Sequence, residues 1–166
     1  MTGARLYLLD TNVCIQAARH YYAFDIAPLF WVALIEQAAN GRVRSIDRVK
    51  TEIDKGNDDL KDWTGDNFHQ WFESTDADDV VEAYTDIMLW ASQQAQFTDA
   101  AKAEFAGAAD GWLVAFARAR GYVVVTLERF DPLVRRRIPI PNVCEAFDVE
   151  QVDTFELLRA LGVTLG

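Results

Sequence analysis

The sequence has little cysteine and little histidine, which narrows the kinds of site that it can build. Its 166 residues include two cysteines, Cys14 and Cys144, and two histidines. Two distant cysteines form no C-x-x-C motif, which excludes a disulfide scaffold and a cysteine-ligated zinc site. Two histidines also make a histidine-rich zinc site a poor fit. We expect both cysteines to be buried as small hydrophobic side chains, with no catalytic role, in a reducing cytoplasm.

Long apolar runs are also missing. The only apolar stretch near the N-terminus is the short run 6–9, which ends at Asp10. We therefore expect no secretory signal peptide. No window approaches the roughly 18 apolar residues of a membrane span, so we expect no membrane association and a cytoplasmic location.

Basic residues are too few to give the chain a positive field. It has 16 Lys and Arg against 26 Asp and Glu, a formal net charge of −10, and a pI of about 4.6. Proteins that hold nucleic acid by their overall field need clustered Lys and Arg. A function on nucleic acid would therefore need a local basic patch or bound metal ions.

Hydrophobic residues, by contrast, are plentiful. They make up 51% of the chain, and aromatic residues make up 12%. This composition supports a sizeable buried core and argues against disorder. The length is near the common size of one domain, so we predict a single domain over 1–166, with the helical stretch 57–105 as one layer of it.

Strands and helices alternate along the chain, which predicts a three-layer α/β/α fold around a parallel sheet of about four to five strands. The apolar or β-branched segments that predict strands are 4–10, 42–46, 122–126 and 143–149. Capping residues and apolar periodicity predict three helices in the first third of the chain: from Asp10-Thr11-Asn12 to about His20, from Pro28 to about Asn40, and over 47–55 with Asp47 as cap. The stretch 57–105 is predicted to be helical, with breaks at Gly65 and near 74–78. Two further helices are predicted over 108–120 and from Asp153 to Gly162.

Four acidic residues lie at or near the predicted carboxyl ends of strands. Asp10 ends the first strand, Glu52 lies in the helix after the second, Asp110 opens the helix before YVVVT, and Glu128 lies two residues past Thr126. Sites in open parallel sheets lie outside these strand ends. Oxygen-only ligands at this density suit hard cations such as Mg²⁺ or Mn²⁺.

These acids can also be purely structural. With 26 acidic residues in the chain, a single acid at a strand end means little. Asp10 can cap the first helix, and Asp110 can complement a helix dipole. However, Thr11 could supply a cap by itself, so a carboxylate at the end of a buried apolar strand is the more informative feature.

The order and context of these acids resemble the PIN domains, metal-dependent ribonucleases that include the VapC-type toxins. The opening motif is matched by LLDTNVCI (8–15), and the acid about forty residues further on by Glu52 in VKTEI. The D-x-x-[LI]-x-x-x-A pattern before a strand is matched at Asp110, and the last acid, two residues past the strand-ending Thr, by Glu128. The match spans the whole chain. QAxRxYY (16–22) and IPNVC (140–144) further resemble a PIN-like subfamily known only as a domain of unknown function.

The resemblance implies an endoribonuclease that uses one or two Mg²⁺ or Mn²⁺ ions. Asp10 and Asp110 would be the central ligands, and Glu52 and Glu128 would be flanking ligands or would position water. In the family the last position is more often Asp or Asn, and Glu128 is one methylene longer. The resemblance also implies an RNA substrate and a role as the toxin of a type II toxin–antitoxin pair with a protein antitoxin, and it leaves a homodimer open.

Several polar residues are candidates for holding the RNA. Arg135 and Arg136 belong to a basic run that can guide an RNA backbone or form a solvated loop. Tyr21 and Tyr22 can stack on bases or pack in the core or an interface. We assign substrate binding to Asn12, Arg19, Thr126, Arg135 and Arg136, although a first-turn position explains Asn12 and a strand end explains Thr126 equally well.

Two other functions are compatible with parts of the pattern. Phosphoryl transfer through an aspartyl-phosphate also uses an Asp at the end of the first strand. However, phosphatases of the haloacid-dehalogenase type need a second Asp two residues on, and Asn12 stands there. The non-enzymatic alternative is a catalytically silent PIN-like interaction module in which the acids are structural.

Overall fold

A computed structural model describes residues 4–166 of the chain. Its centre is a sheet of five strands that are all parallel, in the order β3-β2-β1-β4-β5. The strands are β1 (Tyr7–Leu9), β2 (Val43–Ile46), β3 (Phe72–Glu73), β4 (Val123–Val125) and β5 (Gln151–Val152). With helices on both faces of this sheet, the predicted three-layer α/β/α class is confirmed.

The helices alternate with the strands as predicted. Within residues 4–166 they are α1 (Thr11–Gln16), α2 (Pro28–Ala39), α3 (Asp47–Asp54), α4 (Asp59–Trp63), α5 (Asp78–Gln93), α6 (Asp99–Gly107), α7 (Asp110–Arg120), α8 (Ile140–Ala146) and α9 (Thr154–Leu161). Two stretches of π-helix, Ala17–Tyr21 and Thr64–Phe68, extend α1 and α4. No helix in this part of the chain is both long and apolar enough to cross a membrane.

The central strands are uncharged because both of their faces are covered. The residues of β1 are at most 1% exposed, and β4 is buried along its whole length. Strands covered on both faces read as continuous apolar runs, which made these two predictable. Their register pairs Leu9 with Val125, so the next residues, Asp10 and Thr126, emerge side by side at the carboxyl edge of the sheet.

The predicted strand over 143–149 is wrong. This segment is largely the helix α8, and the last strand is β5, further along the chain. Ile140, Val143 and Cys144 are all fully buried, and their i, i+3, i+4 spacing is that of one helical face. Pro141 lies in the first turn, where its missing N–H costs nothing.

The stretch 57–105 is mostly helical, with two differences from the prediction. Gly65 does not break it, because that residue lies inside the π-helical stretch after α4. The predicted break near 74–78 is present, but it follows the unpredicted short strand β3. A further loop separates α5 from α6, where Thr98 caps α6 by accepting the N–H of Ala101 at 3.1 Å.

Asp47 begins α3 but does not cap it as predicted. Its carboxylate instead accepts two hydrogen bonds from Thr75, one from the backbone N at 3.1 Å and one from Oγ1 at 2.9 Å. The Asp47 side chain therefore ties the start of α3 to the loop after β3. The predicted ends of the last two predicted helices are confirmed, because Gly121 and Gly162 stop α7 and α9 in the left-handed conformation.

Candidate functional site

Asp10 is a buried carboxylate at the carboxyl edge of the sheet. It is 2% exposed and directly precedes α1. Burial, followed by the charges of Asp110 and Glu128, raises its pKa well above the ordinary value, although hydrogen bonds from Thr126 and from the Asn12 backbone act in the opposite direction. The side chain is therefore held close to other acids.

Asp110 is the first residue of α7 and follows the N-cap residue Ala109. Burial raises its pKa to about 7, with further contributions from the charges of Glu128 and Glu52. The positive charge of Arg137 opposes this increase. Carboxylates whose ionisation is disfavoured by burial and by neighbouring acids mark a candidate functional site.

Glu128 is held by groups of the loop that follows β4. Its backbone N donates to Thr126 Oγ1 at 3.1 Å, and its Oε1 accepts the N–H of Ile140 at 3.3 Å. The same oxygen is ion-paired with Arg137. Its charge also acts on Asp10 and Asp110.

Glu52 lies on α3 and reaches the start of α1. Thr11 Oγ1 donates a hydrogen bond of 2.9 Å to Glu52 Oε1. The Glu52 charge acts on Asp110 as well. All four predicted acids are thus near one another, with Asp10 fully buried and Asp110 partly buried.

A cavity of about 460 Å³ opens beside two of these acids, Asp110 and Glu128, and we call it the acidic cavity. Its lining includes Asn12, Glu104, Asp110, Glu128, Arg136 and Arg137. Glu104, on α6, also raises the pKa of Asp110, and no sequence pattern identifies it as a site residue. The turn between α6 and α7 brings Glu104 near Asp110. Neither the spacing of Glu104 from the other acids nor the residues around it predict this position.

The donor set suits a hard cation that keeps much of its own hydration. Within residues 4–166 no three acidic, histidine or cysteine side chains are grouped closely enough to hold a metal ion by themselves. Mg²⁺ is commonly bound by one or two carboxylates, with water and substrate phosphate completing its shell. Asp10 and Asp110 fit that mode, because a cation would offset the cost of ionising both of them.

The residues predicted to bind substrate are placed differently from one another. Asn12 and Arg136 line the acidic cavity, and Thr126 donates a hydrogen bond to the Asp10 carboxylate. The exposed side chain of Arg19 contacts Asp58 at 3.3 Å and does not line this cavity. Arg135 also does not line it, and its carbonyl accepts the N–H of Thr98.

The two cysteines are free thiols and are buried, as expected. Burial raises the pKa of Cys14 and of Cys144 to about 12. Both are therefore protonated at neutral pH, and neither offers the thiolate that nucleophilic chemistry requires.

Comparisons with solved structures show a PIN-like fold of the VapC type. One similar structure is VapBC2 from Rickettsia felis, which was solved bound to a DNA fragment from its promoter. The alignment covers 89% of this chain and 98% of that chain, at 15% identity and a TM-score of 0.54. FitAcB from Neisseria gonorrhoeae aligns over 88% and 96%, at 19% identity and a TM-score of 0.53. Among curated proteins there is no match. A family model matches residues 7–165, and the chain therefore belongs to the family described as Domain of unknown function (DUF4411).

Proposed function

We propose that the chain is a metal-dependent endoribonuclease that hydrolyses RNA phosphodiester bonds. The observation that supports the proposal is the proximity of two carboxylates, the buried Asp10 and the partly buried Asp110, whose charges oppose ionisation at the carboxyl edge of a PIN-like sheet. Structural acids have little reason to be brought together in this way, because each raises the cost of ionising its neighbour. A nuclease needs them there.

Asp10 and Asp110 would hold Mg²⁺ or Mn²⁺, as one or two ions, with Glu52 and Glu128 at the sides. A divalent cation, when bound, supplies positive charge to phosphate oxygens and makes water more acidic. Thr126 fixes the orientation of the Asp10 carboxylate through its hydrogen bond. Glu128 and Glu52 are already oriented by Ile140 and Thr11, and Glu128, which lines the cavity, can accept a hydrogen bond from a water there.

The polar residues around the cavity suit the backbone of RNA. Arg136 and Arg137 line it together with Asn12, which gives phosphate oxygens two cations and an amide donor. Bound dications would also reduce the formal net charge of −10, with the gain located in the cavity itself. This local arrangement explains how an acidic chain can act on a polyanion.

The direct experiment is cleavage of labelled RNA by the purified protein with Mn²⁺ or Mg²⁺. We expect cleavage that EDTA stops and that Asp10→Asn reduces by at least about a hundredfold, because an amide cannot replace the charge of the ligand. Glu36→Gln is the matched control, since Glu36 is exposed on α2 and outside the cavity. Equal activity in Asp10→Asn and wild type would refute the assignment.

We also propose that this nuclease is the toxin of a type II toxin–antitoxin pair, as the VapC-type fold suggests. Induced expression should slow growth, and a small protein encoded next to it should restore growth by placing Arg or Lys against the acidic cavity. The Asp10→Asn variant should be harmless. An active nuclease that is harmless when expressed would contradict the toxin role alone, and binding of a partner without any cleavage would indicate the silent interaction module.

A further inference from the structure

A second cavity, of about 690 Å³, lies beside the acidic cavity. Its walls include Tyr21, Tyr22, Phe130 and Phe155, and we call it the aromatic cleft. Glu128 lines both cavities. The two spaces are therefore neighbours on the same edge of the sheet.

Three of the aromatic rings that line the aromatic cleft are exposed to solvent. Among residues 4–166 the exposed aromatic side chains are Tyr21 at 60%, Phe130 at 44% and Phe155 at 50%, and all three line this cleft. They come from three separate segments of the chain: the end of the first helical region, the loop after β4, and α9. Apolar surface gathered in one concave place is a mark of a binding site.

The wall that carries the tyrosines is held in place by the core. The backbone N of Tyr22 donates to Ala17 O at 2.8 Å, a bond that spans five residues and makes the turn π-helical. The Tyr22 ring stacks on Phe30 with centroids 4.2 Å apart, and Trp31 Nε1 donates to the Tyr22 carbonyl at 2.6 Å. Such π-helical turns are frequent at functional sites. Tyr22 is thus held in place by packing and hydrogen bonding, and the neighbouring Tyr21 is exposed at the edge of the cleft.

The charges in the cleft favour an uncharged, flat ligand. Asp153 and Glu156 line it, and their carboxylates accept each other's backbone N–H in the capping box of α9. These negative charges disfavour phosphate inside the cleft. Arg129 is exposed among the lining residues and can contact a phosphate at its margin. A nucleobase satisfies these conditions, because it is neutral and presents a π face to aromatic rings.

We infer that the aromatic cleft binds bases of single-stranded RNA next to the phosphodiester in the acidic cavity, an inference that rests on the proposed function. Thr126 lines the cleft and donates a hydrogen bond to Asp10, so base and cleavage sites are separated by the end of one strand. Stacking tolerates every base, so the cleft selects unpaired RNA rather than a fixed sequence.

The test measures binding of a fluorescent oligouridine of about ten nucleotides, a length that covers a typical single-strand site. Protein carrying Asp10→Asn, in Mn²⁺, keeps the RNA intact. Adding Tyr21→Ala or Phe155→Ala should raise Kd by about 5- to 50-fold each. Tyr21→Phe should keep the affinity of the Asp10→Asn parent. Leu29→Ala is the matched control, because Leu29 is 53% exposed on α2 and lies outside both cavities.

An oligomer with the same phosphate chain but abasic sites separates stacking from other effects. It should bind more weakly than oligouridine, and Tyr21→Ala should not weaken it further. Unchanged Kd in the alanine variants, an equal loss on the abasic oligomer, or no binding of oligouridine at all would overturn the inference. Alanine variants that keep RNA affinity but lose self-association or a protein partner would overturn it as well, and would make the cleft a protein-docking surface.

Failure of the inference and failure of the proposed function give different results. If wild type cleaves RNA and the ring variants bind oligouridine as well as the Leu29→Ala control, only the inference fails. If wild type does not cleave RNA in Mn²⁺ but the ring variants weaken its binding of oligouridine, the cleft binds RNA and the nuclease assignment fails.

Discussion

Thr126 Oγ1 donates a hydrogen bond of 3.1 Å to Asp10 Oδ2, although the two residues are separated by most of the chain. The same hydroxyl accepts the N–H of Glu128 at 3.1 Å. One side chain therefore links the ends of β1 and β4 and relates the Asp10 carboxylate to the loop that carries Glu128. This hydrogen bond lowers the pKa of Asp10, against the larger effect of burial.

Replacing this hydroxyl by a methyl group tests that link. Thr126→Val should raise the pKa of Asp10 further, because the carboxylate loses a donor. The acidic limb of the pH–rate profile for RNA cleavage should move to higher pH, and stability should fall by about 1–2 kcal/mol because the partly buried Glu128 N–H loses its acceptor. Cleavage rates between acidic and alkaline pH, together with thermal melting, measure both effects.

Thr126→Ser is the matched control, since it keeps the hydroxyl and loses only a methyl group. Its acidic limb should coincide with that of wild type. If Val and Ser variants share one profile, the hydroxyl does not orient Asp10.

Arg137 brings a positive charge to the place where we propose that a cation binds. It pairs with Glu128 and lowers the pKa of Asp110. Arg137→Gln should tighten Mn²⁺ binding by about 3- to 10-fold, because a partly exposed charge near the ion repels it only modestly. Calorimetry at alkaline pH, where protons compete least with the metal, measures the Kd.

Arg135→Gln removes the same charge from a neighbouring position outside the acidic cavity, and should change the Kd little. Weaker Mn²⁺ binding in Arg137→Gln than in Arg135→Gln would mean that Arg137 supports the site instead of opposing the ion.

The sequence was most informative where burial leaves a simple pattern. The apolar runs of β1 and β4 predicted two central strands, and parallel pairing then brought Asp10 to the same edge as Glu128. Asp110 was identified by its place at the start of a helix before β4. These inferences depend on local pattern and on a general rule of parallel sheets.

The rest depended on tertiary contacts that have no local pattern. The segment around Val143 is rich in β-branched and apolar residues, yet burial on one helical face overrides its strand propensity. The pairing of Arg137 with Glu128, and the arrival of Glu104 at the cavity, follow from loop paths that spacing does not reveal.

The pH dependence of stability in the metal-free protein provides a separate test of the acid cluster. The pKa of Asp110 is about 7 in the folded chain against an ordinary value of 3.8, so the folded state binds this proton more tightly than the unfolded state. The resulting stabilisation is complete below about pH 4 and is lost as pH rises through about 7. Asp110→Asn removes this dependence. At pH 8 the variant should therefore melt at a higher temperature than wild type. Its free energy of unfolding should be larger by up to about 4 kcal/mol.

At about pH 3 the two proteins should melt nearly together, because wild-type Asp110 is then largely protonated in both states. Glu36→Gln should follow the wild-type curve throughout. A pH-independent difference between Asp110→Asn and wild type would show that the effect comes from packing rather than from ionisation.

Adding Mn²⁺ should reverse the order of stability at pH 8. A ligand that binds only the folded state stabilises it by roughly 2.7 kcal/mol at one hundred times its dissociation constant. Asp110→Asn loses a central ligand and most of this gain, so the melting temperatures of the two proteins should cross as metal is added. Glu128→Gln should respond almost as wild type does, because its carboxylate is already paired with Arg137. If Asp110→Asn melts below wild type without metal and both gain equally from Mn²⁺, then Asp110 serves the start of α7 and holds no ion.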